Sequence, residues 1–439
     1  MQKIVAAILE GKQSAMELLE QAQAASAAHA HLNPLAHADW EAARALAAQR
    51  DREARAGLGR GALHGIPLSV KDLFQVDGMP MTAGTAAPLP AVGAAEALAV
   101  QRLRAAGAVL FAKTNMNEIA LGVTGENACS GDVKNPHDPA RQSGGSSSGS
   151  AVSVAAGIGL GSLASDTGGS IRVPASFCGV TGFKPSFGAI PLAGSLPLSP
   201  SCDHAGPIAR NVQDAHLLFC ALAQRSYVQT GIRRRPRLVV PGPWLRGCLH
   251  PAVREAFEAS LAALQAVAEL SELEVPGWEQ AFSCYTTIVR AEAAFVHAAA
   301  MRTHPGKFSP AILQSLQGGA GISAVDYLAA QRQRAQFSAA LAALLTDHDA
   351  MLLPTSTVPV PWRGQEHVDI GGASLALREA VLRATMPFNL AGLPALSLPV
   401  LRAQGLPLGL QVVAGRGRDQ PLLSLGAWLQ EQLGAAQEV

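Results

Sequence analysis

Charge is scarce in this sequence. Asp, Glu, Lys and Arg make up only 15% of its 439 residues, and the formal net charge is +1. No basic block is dense enough for a nucleic-acid footprint. The densest, GIRRRPR at Gly231–Arg237, is short and precedes an apolar strand-like run, which fits a solvated rim. Paired cysteines are missing. Cys129, Cys178, Cys202, Cys220, Cys248 and Cys284 include no C-x-x-C spacing, which argues against both a zinc site and a disulfide framework. Long apolar runs are missing too. The N-terminal stretch has acids inside an amphipathic pattern and lacks the apolar core of a signal peptide. The most apolar stretch, Ala151–Ala164, is too short and too glycine-rich to span a bilayer. These absences predict a cytoplasmic protein with no nucleic-acid, membrane or metal partner.

What the chain does contain is apolar material, 49% of its residues, enough for a large buried core. Residues 1–60 read as helices rich in Ala, Leu, Glu and Gln, with HLNPLAH as a break. Short apolar runs then alternate with helical patterns. GIPLSV precedes Lys71, and AVLFAKT follows a helix expected at about Ala94–Ala106. RLVVPG, AMLLPT, LPALSLPVL and LGLQVVAG come later, and Ala252–Leu273 reads as helical. Strands separated by helices predict an α/β fold: one large domain with a mixed, twisted sheet covered by helices on both sides. The expected division is a helical segment, 1–60, packed on a catalytic domain, 61–439. No internal repeat or long polar linker interrupts it.

Two glycine-rich segments stand out. RQSGGSSSGS (Arg141–Ser150) leads at once into a helix-like run, which suits a backbone-rich loop at a helix start better than a flexible linker. Its G-S-S-S-G formally matches a nucleophile elbow at Ser147, but the residues before it are polar and proline-broken where that elbow needs a strand. A phosphate-binding loop would need G-K-[ST], and no lysine stands there. The second segment, SDTGGSIRVPASFCG (Ser165–Gly179), sets two glycines directly before Ser170, with Asp166 ahead and Arg172 behind. Glycine weakens regular structure, so the pair calls for a backbone reason.

Read together with HGIPLSVKDLF around Lys71, these segments resemble the amidase signature enzymes. The resemblance rests on Gly65–Asp72, Gly144–Ser150 and Asp166–Ala175 in that order. AKTNMNEIALG, CGVTGFKPSFG, DHAGPIAR and PFNLAGLPALSLP extend it over nearly the whole chain. It implies a Ser–cis-Ser–Lys triad with Ser170 as nucleophile, Ser146 as cis-serine and Lys71 as base. Ser147, Asp166 and Arg172 would support the site. No cofactor is implied, the partner is a small amide substrate, and a homodimer is left open.

The residue types suit that chemistry. A serine hydroxyl is a poor nucleophile until a base takes its proton. Lysine can act only when neutral, and burial at the end of an apolar strand lowers its pKa. Ser146 would relay the proton. Gly168 and Gly169 would let the N–H groups of Thr167, Gly168, Gly169 and Ser170 converge as an oxyanion hole, each donor worth about 2.7–4 kcal/mol. His64, His204 and His216 read as structural, and the cysteines as core packing.

Ser143 and Ser148 depart from proline and glycine common in the family, and both are small. The family includes the glutamine-hydrolysing component of a tRNA-dependent amidotransferase, its A subunit, which is the alternative function. That component reads glutamine partly with an acid, where Leu382 stands here. With the apolar loop Ser186–Ser201, this predicts a neutral alkyl or aryl amide substrate.

Overall fold

The computed structural model describes residues 1–93 and 96–435. Thirteen strands follow one another: β1 (Leu35–Ala38), β2 (Pro67–Lys71), β3 (Val109–Thr114), β4 (Gly161–Asp166), β5 (Thr181–Lys184), β6 (His204–Ala209), β7 (Arg237–Val240), β8 (Glu269–Glu272), β9 (Ala350–Pro354), β10 (His367–Ile370), β11 (Ala373–Ala376), β12 (Ala395–Ala403) and β13 (Leu406–Val413). β10 and β11 form a separate hairpin. The rest make one 11-stranded sheet in the order β1-β3-β2-β4-β6-β5-β12-β13-β9-β7-β8. The sheet is mixed: β3, β2 and β4 run parallel, as do β8, β7 and β9, and the strands between them pair antiparallel. This is the α/β architecture expected.

The six apolar runs named above become β2, β3, β7, β9, β12 and β13. β2, β3 and β4 are buried along their whole length, as strands covered on both faces must be. Two short edge strands depart from the sequence reading. β1 lies inside the HLNPLAH break, extends to Ala38, and pairs antiparallel with β3. The Ala252–Leu273 stretch divides into a helix, Pro251–Leu264, and β8 beside β7. Both strands are four residues long and partly exposed, so neither carries the apolar run that marks a central strand. The helix expected at about Ala94–Ala106 is Leu98–Ala105. Residues 94 and 95 lie outside the described residues.

Helices Gln2–Leu9, Ala15–Ala28 and Trp40–Arg55 open the chain. Ser14 and Glu17 form a reciprocal capping box that fixes the start of the second. Ala15, Leu19, Ala43 and Ala47 pack with Val109, Phe111 and Ala112, and Trp40 stacks on Phe111 at 5.1 Å. The N-terminal segment is thereby joined to β3 both by side chains and, through β1, by the sheet itself. Among the described residues no helix is long and apolar enough to cross a membrane.

The register of the central strands places the site. β2 and β4 are parallel neighbours, with Leu68 opposite Gly161 and Val70 opposite Leu163. Their C-terminal ends therefore deliver Lys71, Ser165 and Asp166 to one edge of the sheet. Helices Ser148–Ala155 and Arg172–Cys178 start directly after the two glycine-rich loops and aim those loops at the same place.

Candidate active site

Lys71 ends β2 and is fully buried. Its Nζ donates to Ser146 Oγ at 2.8 Å and to Ser165 Oγ at 2.9 Å. Burial lowers its pKa to about 7, with Asp166 and Asp203 acting in the opposite direction. An ordinary lysine is almost wholly charged at neutral pH, so the shift makes the neutral amine accessible there.

The peptide between Gly145 and Ser146 is cis. Ser146 C=O accepts from Asn117 N–H at 3.2 Å, and Ser147 N–H donates to Ser170 C=O at 3.2 Å. Ser147 Oγ donates to Ser165 C=O at 3.0 Å, which ties the loop to the end of β4. The structure thus brings Lys71 and Ser146 into direct contact and holds Ser170 beside them through the backbone of Ser147. No hydrogen bond joins the Ser146 and Ser170 hydroxyls among the described residues. Ser143 Oγ is engaged with Val133 C=O at 2.8 Å, while Ser148 Oγ is buried with no partner among the described residues. Helix Ser148–Ala155 begins at that residue, and the cis peptide coexists with its side chain.

The second loop shows why its glycines are needed. A Cβ on Gly168 would stand 2.1 Å from the Tyr285 hydroxyl oxygen. Gly169 has φ +146°, and a Cβ there would stand 2.4 Å from Thr385 Oγ1. Thr385 Oγ1 instead donates to Gly168 C=O at 2.6 Å. The backbone N–H groups of Thr167, Gly168, Gly169 and Ser170 donate to no other protein group among the described residues.

Asp166 and Arg172 clamp this loop from beneath. Arg172 Nη2 and Nε donate to the two Asp166 oxygens at 2.9 and 3.0 Å, and both side chains are fully buried. Asp166 also accepts from the N–H of Ile171 at 3.0 Å. Burial alone would raise its pKa, but the guanidinium, aided by Lys184 and Asn389, holds the carboxyl well below the ordinary range. The other donors of Arg172 reach Thr385 C=O, Gln411 Oε1 and Asn389 Oδ1 at 2.8, 2.6 and 2.6 Å.

Several of these residues were not read from the sequence. Ser165 could have been, since it is adjacent to Asp166 in the glycine-rich motif. Asp203 accepts from Thr167 Oγ1 at 2.6 Å, and burial pushes its carboxyl up to about 6. Thr385 and Gln411 act from more than 200 positions away in the chain and carry no local signal, whereas Asn389, as distant, stands inside the PFNLAGLPALSLP segment whose role in the site was not read. His64 bonds Arg50 C=O, His204 bonds Cys202 C=O and His216 bonds Gln420, and none bonds Lys71 or the serines. Cys178 is buried, and burial drives its thiol pKa far up. Leu382 is buried in the main apolar core.

Known proteins share this arrangement of chain and fold. A family model described as Amidase matches residues 17–423. A crystal structure of an amidase superposes with a TM-score of 0.96 at 48% identity, covering 98% of this chain and 99% of that one. AtzE, the 1-carboxybiuret hydrolase component of Pseudomonas sp. (strain ADP), is 34% identical over 450 residues, spanning 98% of this chain and 97% of its own. The A subunit of the glutamyl-tRNA(Gln) amidotransferase from Symbiobacterium thermophilum is 33% identical over 472 residues, 97% of this chain and 94% of that protein.

Proposed function

The chain belongs to the amidase family and is an amide hydrolase, and from that premise we propose that Lys71, Ser146 and Ser170 form its catalytic triad. The observation that carries this is the fully buried Lys71 amine, bonded to Ser146 Oγ at 2.8 Å, with burial lowering its pKa toward the neutral range. A neutral amine has a lone pair with which to take the Ser146 proton. Ser146 takes the Ser170 proton as Ser170 Oγ attacks the amide carbon. The N–H groups of Thr167 to Ser170 meet the oxygen that becomes negative, with no other partner to give up. The C–N bond breaks, and the proton returns through Ser146 to the leaving amine. Water then cleaves the acyl-enzyme ester and restores Ser170. The missing contact between the two serine hydroxyls is one that a bound substrate tightens, as catalytic hydrogen bonds commonly do. Residues 1–60 act as a packing segment of this catalytic domain.

Leu382, buried in the core, offers no carboxylate to a substrate ammonium group, and the substrate is a neutral alkyl or aryl amide. The 33% identical amidotransferase component favours a second reading, glutamine hydrolysis. Mass-spectrometric product release from primary amides, anilides, esters and glutamine separates the two, with Ser170→Ala run beside the wild type. Turnover of uncharged amides that vanishes in Ser170→Ala is the expected result. Turnover of glutamine alone establishes the second reading, and turnover that survives in the variant removes Ser170 as nucleophile.

A further inference from the structure

Thr167 opens the second loop directly after β4, and the two residues that follow it are glycines, which place little restraint of their own on the backbone. The direction of the N–H groups along Thr167–Ser170 must therefore be set from outside. At Gly168 the hold is the Thr385 hydroxyl, which donates to its C=O at 2.6 Å. Beyond Ser170 it is Asp166, which accepts from Ile171 N–H at 3.0 Å. At Thr167 the hold comes through the side chain, whose Oγ1 donates to Asp203 Oδ1 at 2.6 Å. Threonine is β-branched and stiff at χ1, so a fixed hydroxyl passes its position on to its own backbone.

Asp203 is itself held. It is buried, and its other oxygen accepts the N–H groups of Leu198 at 2.9 Å and Ser199 at 3.0 Å. That turn is fastened on its far side by Glu292 of helix Trp278–Val296, which accepts from Ser199 Oγ and Ser201 Oγ at 2.6 Å each. Helix Ala324–Leu344 adds Tyr327, whose hydroxyl donates to Glu292 at 2.8 Å, and Arg334, whose Nη2 donates to Ser201 C=O at 2.7 Å. The donors to Asp203 are one hydroxyl and two backbone N–H groups, all neutral. An ionised acceptor binds a hydroxyl more tightly than a neutral one does, so the carboxylate holds Thr167 more firmly than an amide carbonyl would.

We propose that Asp203 is a positioning residue for the hydrolysis: through the Thr167 hydroxyl it fixes the direction in which the Thr167 N–H meets the oxygen that becomes negative. It does so from a turn anchored on two helices that lie outside the catalytic loops. Among the described residues Asp203 has no hydrogen bond to Lys71, Ser146 or Ser170, and its influence on the reaction passes through Thr167. The proposal rests on the amide-hydrolase reading with Ser170 as nucleophile, and adds to it a residue beyond the triad and its loops.

The probes are the neutral amide that the wild type turns over fastest in the panel above and the boronic acid of the same skeleton, whose boron takes Ser170 Oγ to form a tetrahedral anion. Thr167→Val keeps the side-chain shape and the N–H but removes the hydroxyl donor. Its kcat is expected to fall about tenfold or more with KM changed less than about twofold, because a misdirected donor is felt in the transition state and not in the bound substrate. Affinity for the boronic acid should fall by the same factor. Thr167→Ser keeps the hydroxyl and should retain most of the activity. Asp203→Ala should show the loss of Thr167→Val, and the double variant should lose no more than Asp203→Ala alone, since both changes remove one bond. Should Asp203→Ala fail to fold, the contrast between Thr167→Val and Thr167→Ser decides alone. An unchanged kcat in Thr167→Val, a loss confined to KM, or losses that add in the double variant overturns the positioning role and leaves the hydrolase reading intact. Turnover that survives in Ser170→Ala overturns that reading, and the proposal with it.

Discussion

At the scale of one residue, Lys71 sets function against stability. Its native pKa of about 7 lies below the value of an unfolded lysine, so the unfolded chain binds more protons between those two values. Stability therefore rises with pH across that interval, and the penalty is full below pH 7. Lys71→Met removes the penalty along with the base. Hydrolysis should be lost, while the variant should unfold at a higher temperature than the wild type at neutral pH. The gain is on the order of a few kcal/mol, less what the lost bonds to Ser146 and Ser165 contributed. The gap should narrow as pH rises toward 10, where the native amine is already neutral and the unfolded lysine begins to lose its proton. Thermal melts across pH 6–10 measure it, and a gap independent of pH would mean that Lys71 is not held neutral by burial. The same shift predicts that wild-type kcat/KM rises with pH through about 7, in proportion to the deprotonated amine. A flat profile down to about pH 5 would remove Lys71 as the base.

At the scale of elements, the fully buried pair Asp166–Arg172 couples the end of β4 to the start of helix Arg172–Cys178. Removing one partner strands a buried charge, so Arg172→Met should destabilise the protein by about 3–5 kcal/mol. Asp166 has a depressed native pKa, and its contribution is present above the unfolded carboxyl value and lost as pH falls below it. The cost of Arg172→Met, read from denaturant melts, should therefore be full at pH 7 and shrink below about pH 4. A cost that grows with acidity would contradict a paired, ionised Asp166. This clamp was half legible. Asp166 and Arg172 sit six residues apart in a glycine-rich motif, and the central strands announced themselves as apolar runs. β1 and β8 did not, because short edge strands lack an unbroken apolar run. Nor did Thr385 and Gln411, because nothing local marks which distant segment completes a buried guanidinium's hydrogen bonds. Asn389 stood in the PFNLAGLPALSLP segment, but its partner Arg172 could not be read from it. Tyr285 was equally silent, since only its approach to Gly168 distinguishes it from any core aromatic.

At the scale of the whole molecule, the sheet has two flanks that meet at a narrow seam. β5 and β12 pair through only Lys184–Ala395, Phe183–Leu396 and Gly182–Ser397. The catalytic loops belong to the β1–β6 flank, yet Arg172 reaches Gln411 on β13 and Thr385 and Asn389 just before β12. The site is thus assembled across the seam, and a chain of this length could otherwise open flank by flank. The buried bonds of Arg172 make separate opening expensive, because either flank leaving exposes the loop and strands its charges. Native-state hydrogen exchange should then show the amides of β4 and β13 opening with one common free energy, and activity lost in denaturant over the same transition. In Gln411→Leu, which removes one of these crossings, the two sets of amides should separate, β13 opening at lower free energy than β4. Separate openings already present in the wild type would mean that each flank stands alone, and that the site is carried by the β1–β6 flank without help from across the seam.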